Sequence, residues 1–283
     1  MQTQTSMPIQ TSVAEIDADN YRFLQDHVRS QAGIVLEGNK HYLFENRLTP
    51  IVRQLGLGSI NDLCALLRAT RAPEVGRRVV EAMTTNETYF FRDPAHYDAI
   101  AAKLLPRLKE ERAGTYKLRF WSAASSTGQE AYSLAMMLLE NGFAGWNINI
   151  LGTDFSSAIV DRARAGKYHQ IEVNRGLPAS LLVKHFIRSG VEWQLSDALR
   201  QMVRFDTIDL RNSMRALGPF DLVFCRNVLI YFDAETKNKI LKEIHGTLFR
   251  GGWMLLGGAE TAFGVEQYFD RLVIGGATVY VAK

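Results

Sequence analysis

Lys117-Leu118-Arg119-Phe120-Trp121-Ser122-Ala123 runs straight into Ala124-Ser125-Ser126-Thr127-Gly128-Gln129-Glu130 and on into an apolar series that ends at Glu140. The first block reads as a strand and residues 128–140 as a helix, so the small residues between them form a strand-to-helix turn. The grammar then repeats. Residues 147–153 read as a strand, 156–165 as a helix, and further strands fall at 202–206, 220–225 and 253–257. Strands alternating with helices predict a doubly wound α/β sheet. Near the C-terminus, Leu272-Val273-Ile274 and Thr278-Val279-Tyr280-Val281 flank Gly275-Gly276, which is a hairpin signal.

Upstream of the sheet the pattern is helical only. Tyr21, Phe23, Leu24 and Val28 have helical spacing, with Gly33 as the stop. A second helix is expected over 39–55, kinked at Pro50. Two shorter ones start at Ser59-Ile60-Asn61-Asp62 and at Pro73. A long helix is expected over 94–112, with Asp93 as its N-cap and Pro94 at its first position. Residues 1–18, rich in Gln, Thr and Ser, read as a flexible tail. Residues 166–201 break the strand–helix alternation for about 35 residues, too long for an ordinary connection, and read as a small inserted subdomain.

Composition narrows the class. The chain has 283 residues, 47% of them hydrophobic, enough for one or two domains. A net charge of +3 with no dense basic run gives no case for nucleic-acid binding. The two cysteines, Cys64 and Cys225, argue against a disulfide framework or a cysteine zinc site, and suit a reducing compartment. The six histidines show no metal-ligand spacing. No secretory signal and no membrane-spanning run is read.

The chemistry concentrates at strand ends. The turn 122–130 has a single glycine and matches neither GxGxxG nor a P-loop, which disfavours pyrophosphate. Small residues at the end of a first strand suit an adenosine ligand without phosphates. Glu130 in the first turn of the helix complements the helix dipole, and it also suits a cationic ligand such as a sulfonium. Asp154 ends the second strand, where an acid commonly binds ribose hydroxyls; the alternative is a helix N-cap. Arg226-Asn227 follows the fourth strand and faces the cleft, unless it is a polar cap. Asn86-Glu87-Thr88-Tyr89-Phe90-Phe91-Arg92-Asp93 packs an amide, a hydroxyl, three aromatics and an arginine ahead of the sheet. It reads as a helix entry with a hydrophobic staple, as a pocket lining, or as both.

A parallel sheet closed by an antiparallel hairpin is the arrangement of class I methyltransferases. The motifs 85–92, Trp121 to Glu130, Tyr132-Ser133, Gly152-Thr153-Asp154 and Cys225-Arg226-Asn227-Val228-Leu229-Ile230-Tyr231-Phe232 resemble those of the bacterial chemotaxis receptor methyltransferases, the CheR family. The resemblance covers nearly the whole chain from about residue 20. It implies a helical domain over 19–85, a linker over 86–95 that contributes to the donor site, and a methyltransferase domain over 96–283 with its insertion at 166–201. It further implies S-adenosylmethionine as methyl donor, S-adenosylhomocysteine as product, no metal, and esterification of glutamate side chains on chemoreceptors. Donor contacts carry over to Asn86, Thr88, Arg92, Glu130, Asp154, Asp209, Leu210, Arg226 and Asn227. Arg92 and Tyr231 are the expected positioning residues for catalysis.

The resemblance also implies a cytoplasmic monomer recruited to receptor arrays in the membrane, with the insertion able to grip a receptor C-terminal peptide. In the family a basic second helix meets the acidic receptor. Here Asn46-Arg47-Leu48 is followed by Thr49-Pro50-Ile51-Val52-Arg53, a thinner basic face in which Arg47 and Arg53, with Lys40 beside them, are the expected docking cations. Two other readings remain open at this point: a non-catalytic receptor-binding module that senses S-adenosylmethionine, and a methyltransferase for a small carboxylic acid.

Overall fold

The structure, a computed structural model, describes residues 15–36, 38–70 and 72–283. The chain divides into two compact units, Met1–Thr84 and Thr85–Lys283. Most of the expected tail lies outside the described residues. Its last part is built into the fold: Ile16 is buried and the Asp17 side chain accepts from the Asn20 amide.

The first unit contains α1 (Ala18–Ala32), α2 (His41–Gln54), α3 (Ile60–Thr70) and α4 (Pro73–Met83). The sequence spacing explains them. Leu24 and Val28 of α1, Phe44 and Leu48 of α2, Leu63 and Cys64 of α3, and Val79, Val80 and Met83 of α4 are all buried. Asp17 caps the start of α1, and Gly33, in the left-handed region, closes its end. Pro50 stays inside α2. Arg47 has a structural part that the sequence did not suggest. Its Nη1 donates to the carbonyls of Met83 and Thr84 at 2.8 Å each, where the last turn of α4 leaves its acceptors without helical partners. Arg53 is exposed.

In the second unit the expected helix over 94–112 is three pieces: α5 (Pro94–Ala99), a π-helical turn Ile100–Leu104, and α6 (Leu105–Glu111). Pro106 offers no N–H and its ring crowds the carbonyl four residues back, so the turn before it widens. The sheet strands are β1 (Lys117–Ala123), β2 (Asn147–Asp154), β6 (Val203–Thr207), β7 (Phe220–Cys225), β8 (Leu248–Leu256), β9 (Phe269–Ile274) and β10 (Ala277–Ala282). Their order is β6-β2-β1-β7-β8-β10-β9. The pairs β6–β2, β2–β1, β1–β7 and β7–β8 are parallel, and β10 pairs antiparallel with both β8 and β9. This is the doubly wound sheet with a closing hairpin that the sequence predicted.

Both faces of the sheet are covered. Leu118 and Phe120 of β1 and Leu222 and Phe224 of β7 enter one apolar cluster; Trp121 and Ala123, and Val223 and Cys225, enter the other. Helices α7 (Gln129–Glu140) and α8 (Ser157–Ala165) supply the first cluster, and α12 (Ala234–His245) the second. Asp221, 2% exposed, is satisfied by the Arg112 guanidinium and the Arg119 amide.

The register places the site. Ala123 pairs with both Thr153 and Cys225, Thr153 pairs with Asp206, and Cys225 pairs with Leu256. One row of residues therefore ends the parallel strands together, and the loops after them emerge side by side.

Residues 166–201 form β3 (Lys167–His169), α9 (Gln170–Val173), α10 (Ala179–His185), β4 (Phe186–Ser189), β5 (Glu192–Leu195) and α11 (Asp197–Gln201). The strands make a separate antiparallel sheet in the order β3-β5-β4. Phe90 anchors it: the ring lies 5.1 Å from Tyr168 and 5.7 Å from Phe186, edge-on to both. Gly176 lets the backbones meet, since a Cβ there would stand 2.0 Å from the Phe90 carbonyl oxygen.

The Arg47 geometry gives a direct test. Arg47→Ala should destabilise the first unit by about 1.5–3 kcal/mol, the range for hydrogen bonds from a charged group, while Arg53→Ala should stay near neutral. Denaturant titration of the full chain, followed by a probe in the helical unit, checks both.

Candidate active site

Arg226 is the centre of the site. It leaves the end of β7, is 5% exposed, and joins three segments. Nη1 donates to Glu130 Oε2 at 2.9 Å, and Nη2 donates to the Arg92 carbonyl at 2.8 Å and to Asp93 Oδ2. The other oxygen of Glu130 accepts from Ser122 Oγ at 2.7 Å. Both oxygens of Glu130 thus have partners within the protein. Burial pushes its carboxyl up, and Arg226 and Ser122 pull it back. Burial opposes the Arg226 charge, yet Glu130 and Asp93 hold the guanidinium above its ordinary range.

Asp93 departs from its expected part. It precedes Pro94 as predicted, but its φ is +58° and its side chain makes no cap; the carboxylate turns to Arg226 instead. The sequence signal for a cap was right about the helix start and silent about the distant partner.

The turn after β1 is fixed by Asp154. Its Oδ2 accepts the Ser126 amide at 2.9 Å and its Oδ1 the Ser156 amide at 3.2 Å. The N-cap of α8 is Ser156, whose hydroxyl accepts from the Ile159 amide. Ser126 Oγ donates to the Asn86 carbonyl at 2.8 Å and ties the 86–93 segment to the turn. The Ser125 hydroxyl is buried with no hydrogen-bond partner.

The aromatics of the 86–93 segment pack inward. Phe90 is fully buried, and Phe91 packs on Tyr97 while its amide donates to Ser133 Oγ at 3.0 Å. Thr88, Tyr89 and Arg92 stay half-buried. Arg92 Nη1 donates to the Glu87 carbonyl at 3.1 Å, with the guanidinium 5.5 Å from the Tyr89 ring centre. Asp209 and Leu210 follow β6 beside Asp154, whose carbonyl accepts the Ile208 amide. The Asp209 carboxylate is engaged by the Arg211 guanidinium. Tyr231 is half-buried on a short 3-10 turn, Leu229–Tyr231.

Five non-glycine residues at this edge have positive φ: Phe91, Asp93, Ala124, Ser126 and Asn227. Each left-handed non-glycine residue costs on the order of 1–3 kcal/mol and persists only where surrounding contacts over-determine it. Here those contacts are the hydrogen bonds of Arg226, Asp154 and Ser126.

Sequence reasoning missed Ser122, Ser125 and Glu260. The Glu260 carboxylate accepts the Asn227 and Gly257 amides on one oxygen and the Leu229 and Ile230 amides on the other. Nothing in the sequence pattern marked Glu260.

The residues fit an adenosine-type ligand. Small side chains and left-handed backbone line the turn, a serine hydroxyl there is left without a partner, and an acid stands at the end of β2. No group of three or more His, Cys, Asp or Glu able to hold a metal occurs among the described residues. Sheet, hairpin and site together define a class I S-adenosylmethionine-dependent methyltransferase. Comparison with known proteins gives the family. The chain belongs to the CheR methyltransferases: the family's SAM binding domain matches residues 86–275 and its all-alpha domain residues 19–84. It is similar to chemotaxis protein methyltransferase 1 of Pseudomonas aeruginosa, 37% identical over 96% of this chain and 100% of that one. It is similar also to the chemotaxis protein methyltransferase of Vibrio parahaemolyticus, 37% identical over 95% of this chain and 98% of that one. The probable chemotaxis protein methyltransferase of Rhizobium etli is 32% identical over 89% of this chain and 96% of its own length.

Two outcomes follow from the buried charges. Arg226→Ala leaves Glu130 and Asp93 without their cation and should cost about 3–5 kcal/mol; adding Glu130→Ala should recover part of that, because the stranded charge is removed. Denaturation of the single and double variants measures it. His96, 6% exposed, has its pKa lowered from 6.5 to about 4, first by burial and then by Arg226. The unfolded chain therefore takes up a proton that the folded chain refuses. Stability from this group is whole above pH 6.5 and is lost as pH falls towards 4, by about 3 kcal/mol at most. The pH dependence of unfolding in His96→Phe should be shallower than the parent's over that window.

Proposed function

We propose that this protein transfers the methyl group of S-adenosylmethionine to glutamate side-chain carboxylates of chemoreceptors, giving glutamate 5-O-methyl esters and S-adenosylhomocysteine. The observation that carries the reading is one edge of the sheet, where the Asp154-held turn meets the Arg226–Glu130 pair. Relatives that match nearly the whole chain are named as chemotaxis protein methyltransferases.

When bound, S-adenosylmethionine supplies a methyl group activated by its positive sulfonium. In this reading Asp154, with Asp209 and Leu210 beside it, holds the ribose and base side. Asn86, Thr88, Glu130, Arg226 and Asn227 hold the amino-acid side, with Glu130 acting as the brace that keeps Arg226 in place. The acceptor is a carboxylate, already ionised at neutral pH because glutamate titrates near 4.3, so no general base is needed. The protein's work is alignment and exclusion of water, and orientation alone can supply on the order of 7–11 kcal/mol. Arg92 is suited to hold a carboxylate: one guanidinium nitrogen is anchored on the Glu87 carbonyl and the fork is only half-buried. Tyr231 sits on the turn after β7 and is the residue assigned to the acceptor.

The helical unit and the insertion are assigned to receptor recognition. Arg47 and Arg53, with Lys40 beside them, are the cations of α2 and its approach assigned to docking, and Arg47 also holds the end of α4. The edge strands of the inserted sheet suit addition of an extended receptor peptide. No helix among the described residues is long and apolar enough to cross a membrane. The reading places the protein in the cytoplasm, brought to membrane receptor arrays by its substrate. A small-acid methyltransferase would need neither accessory part, and a non-catalytic sensor would not need Arg92 and Tyr231 together.

The test is transfer of labelled methyl from S-adenosylmethionine to receptor-containing membranes, with small carboxylic acids assayed alongside. Base-labile label on receptor glutamates is expected; label on the acids alone, or none, sinks the reading. Arg92→Ala should fold normally and lower kcat/KM by about 10–100-fold, matching about 1.5–3 kcal/mol for one charge-assisted contact. Arg92→Lys should restore little, because a point charge cannot reproduce a fork.

A further inference from the structure

Glu260 belongs to no motif that marks the donor site, yet its carboxylate accepts four backbone amides. It is 9% exposed and lies beyond β8. Oε2 accepts from the Asn227 amide and the Gly257 amide, both at 2.7 Å. Oε1 accepts from the Leu229 amide at 2.7 Å and the Ile230 amide at 3.3 Å. Leu229 and Ile230 open the short 3-10 turn that carries Tyr231, and the first amides of such a turn have no partner inside it. Glu260 supplies that partner from a different strand's loop. It also holds Asn227 at φ +58°, a conformation that a non-glycine residue keeps only under constraint. Gly257 makes room: a Cβ there would stand 2.7 Å from both the Asn227 side-chain nitrogen and Glu260 Oε2.

We infer that Glu260 is a positioning residue for methyl transfer, latching the Asn227–Tyr231 turn to the end of β8 and so setting where Tyr231 stands relative to the donor site. The inference rests on the proposed function for its catalytic meaning. The physical reason is geometric. A carboxylate offers two oxygens that both accept, and all four amides use them. Glutamine keeps the shape but can accept on one oxygen only, so the Asn227–Gly257 side or the Leu229–Ile230 side must lose its anchor. A shift of about 1 Å in a residue that aligns substrate can cost on the order of 100-fold in rate.

The experiment compares the full-length parent, Glu260→Gln, Gly257→Ala, Tyr231→Phe and the Glu260→Gln/Tyr231→Phe pair. Gly257→Ala strains the same latch without touching the carboxylate's charge, and serves if Glu260→Gln folds poorly. Transfer to receptor membranes gives kcat and KM, and amide hydrogen exchange reads the latch without activity. Both latch variants should exchange the Leu229 and Ile230 amides faster while β1 and β7 stay protected. Both should lose about 10–100-fold in kcat with KM for the receptor little changed. The double variant should lose no more than the worse single one, as expected when one residue acts through the other. Losses that multiply in the double variant, or a Glu260→Gln protein with parental kcat, overturn the inference. Parental exchange at Leu229 and Ile230 in both latch variants also overturns it. A parent that methylates no receptor overturns the proposed function instead, and the exchange data then still decide whether the latch exists.

Discussion

The Arg226–Glu130 ion pair is the contact on which the rest of the site depends. Burial works against charge on both groups, and what offsets it is the set of partners each keeps, Glu130, Asp93 and the Arg92 carbonyl for Arg226, and Arg226 and Ser122 for Glu130. The pair joins the end of β7 to the first turn of α7 and to the 86–93 segment. These are far apart in sequence and meet only when the sheet has formed. Folding of the sheet and assembly of the site are therefore one event. A buried ion pair adds little net stability compared with an apolar pair of the same shape, but it fixes one arrangement where apolar packing would tolerate several.

Around that pair the backbone is held in conformations that cost free energy. Phe91, Asp93, Ala124, Ser126 and Asn227 all sit in the left-handed region at the same edge of the sheet. Asp154 holds the turn after β1, Arg226 the segment before α5, and Glu260 the turn after β7. The acids of this edge thus also shape its loops. Its free capacity for a ligand lies in the Ser125 hydroxyl, the partly exposed Arg92 and the small side chains of the turn. A methyl transfer to a carboxylate asks for such a rigid cradle, since alignment rather than acid–base chemistry limits it.

The aromatics of the 86–93 segment connect the cradle to the insertion. Phe90 is wedged between Tyr168 and Phe186, and Phe91 lies against Tyr97. The Arg175–Glu87 ion pair and the Arg175 contact with the Tyr89 ring add a polar rim on the same side. The insertion therefore packs on the segment that also carries Thr88 and Arg92.

Most elements of the sheet and of the helical unit were legible in the sequence, whereas α12 and the elements inside the insertion were not. Strand β1 runs from Lys117 to Ala123 as the apolar pattern predicted, α4 starts at Pro73, and the hairpin turns at Gly275-Gly276, because propensity, periodicity and turn chemistry are local. The positions of Asp154, Glu130 and Arg226 at strand ends were legible for the same reason. What those side chains touch was not. Glu130 reads as a dipole partner or a ligand contact until the fold brings Arg226 beside it. Asp93 reads as a cap until the same arginine takes its carboxylate. Arg47 gives no sign in the sequence that it also holds the end of α4. Glu260 carries no signal at all, because its partners are backbone amides, and an amide looks the same at every position of the chain. Charged side chains take their partners from whatever the tertiary fold brings within about 3 Å, a distance no spacing rule along the sequence encodes.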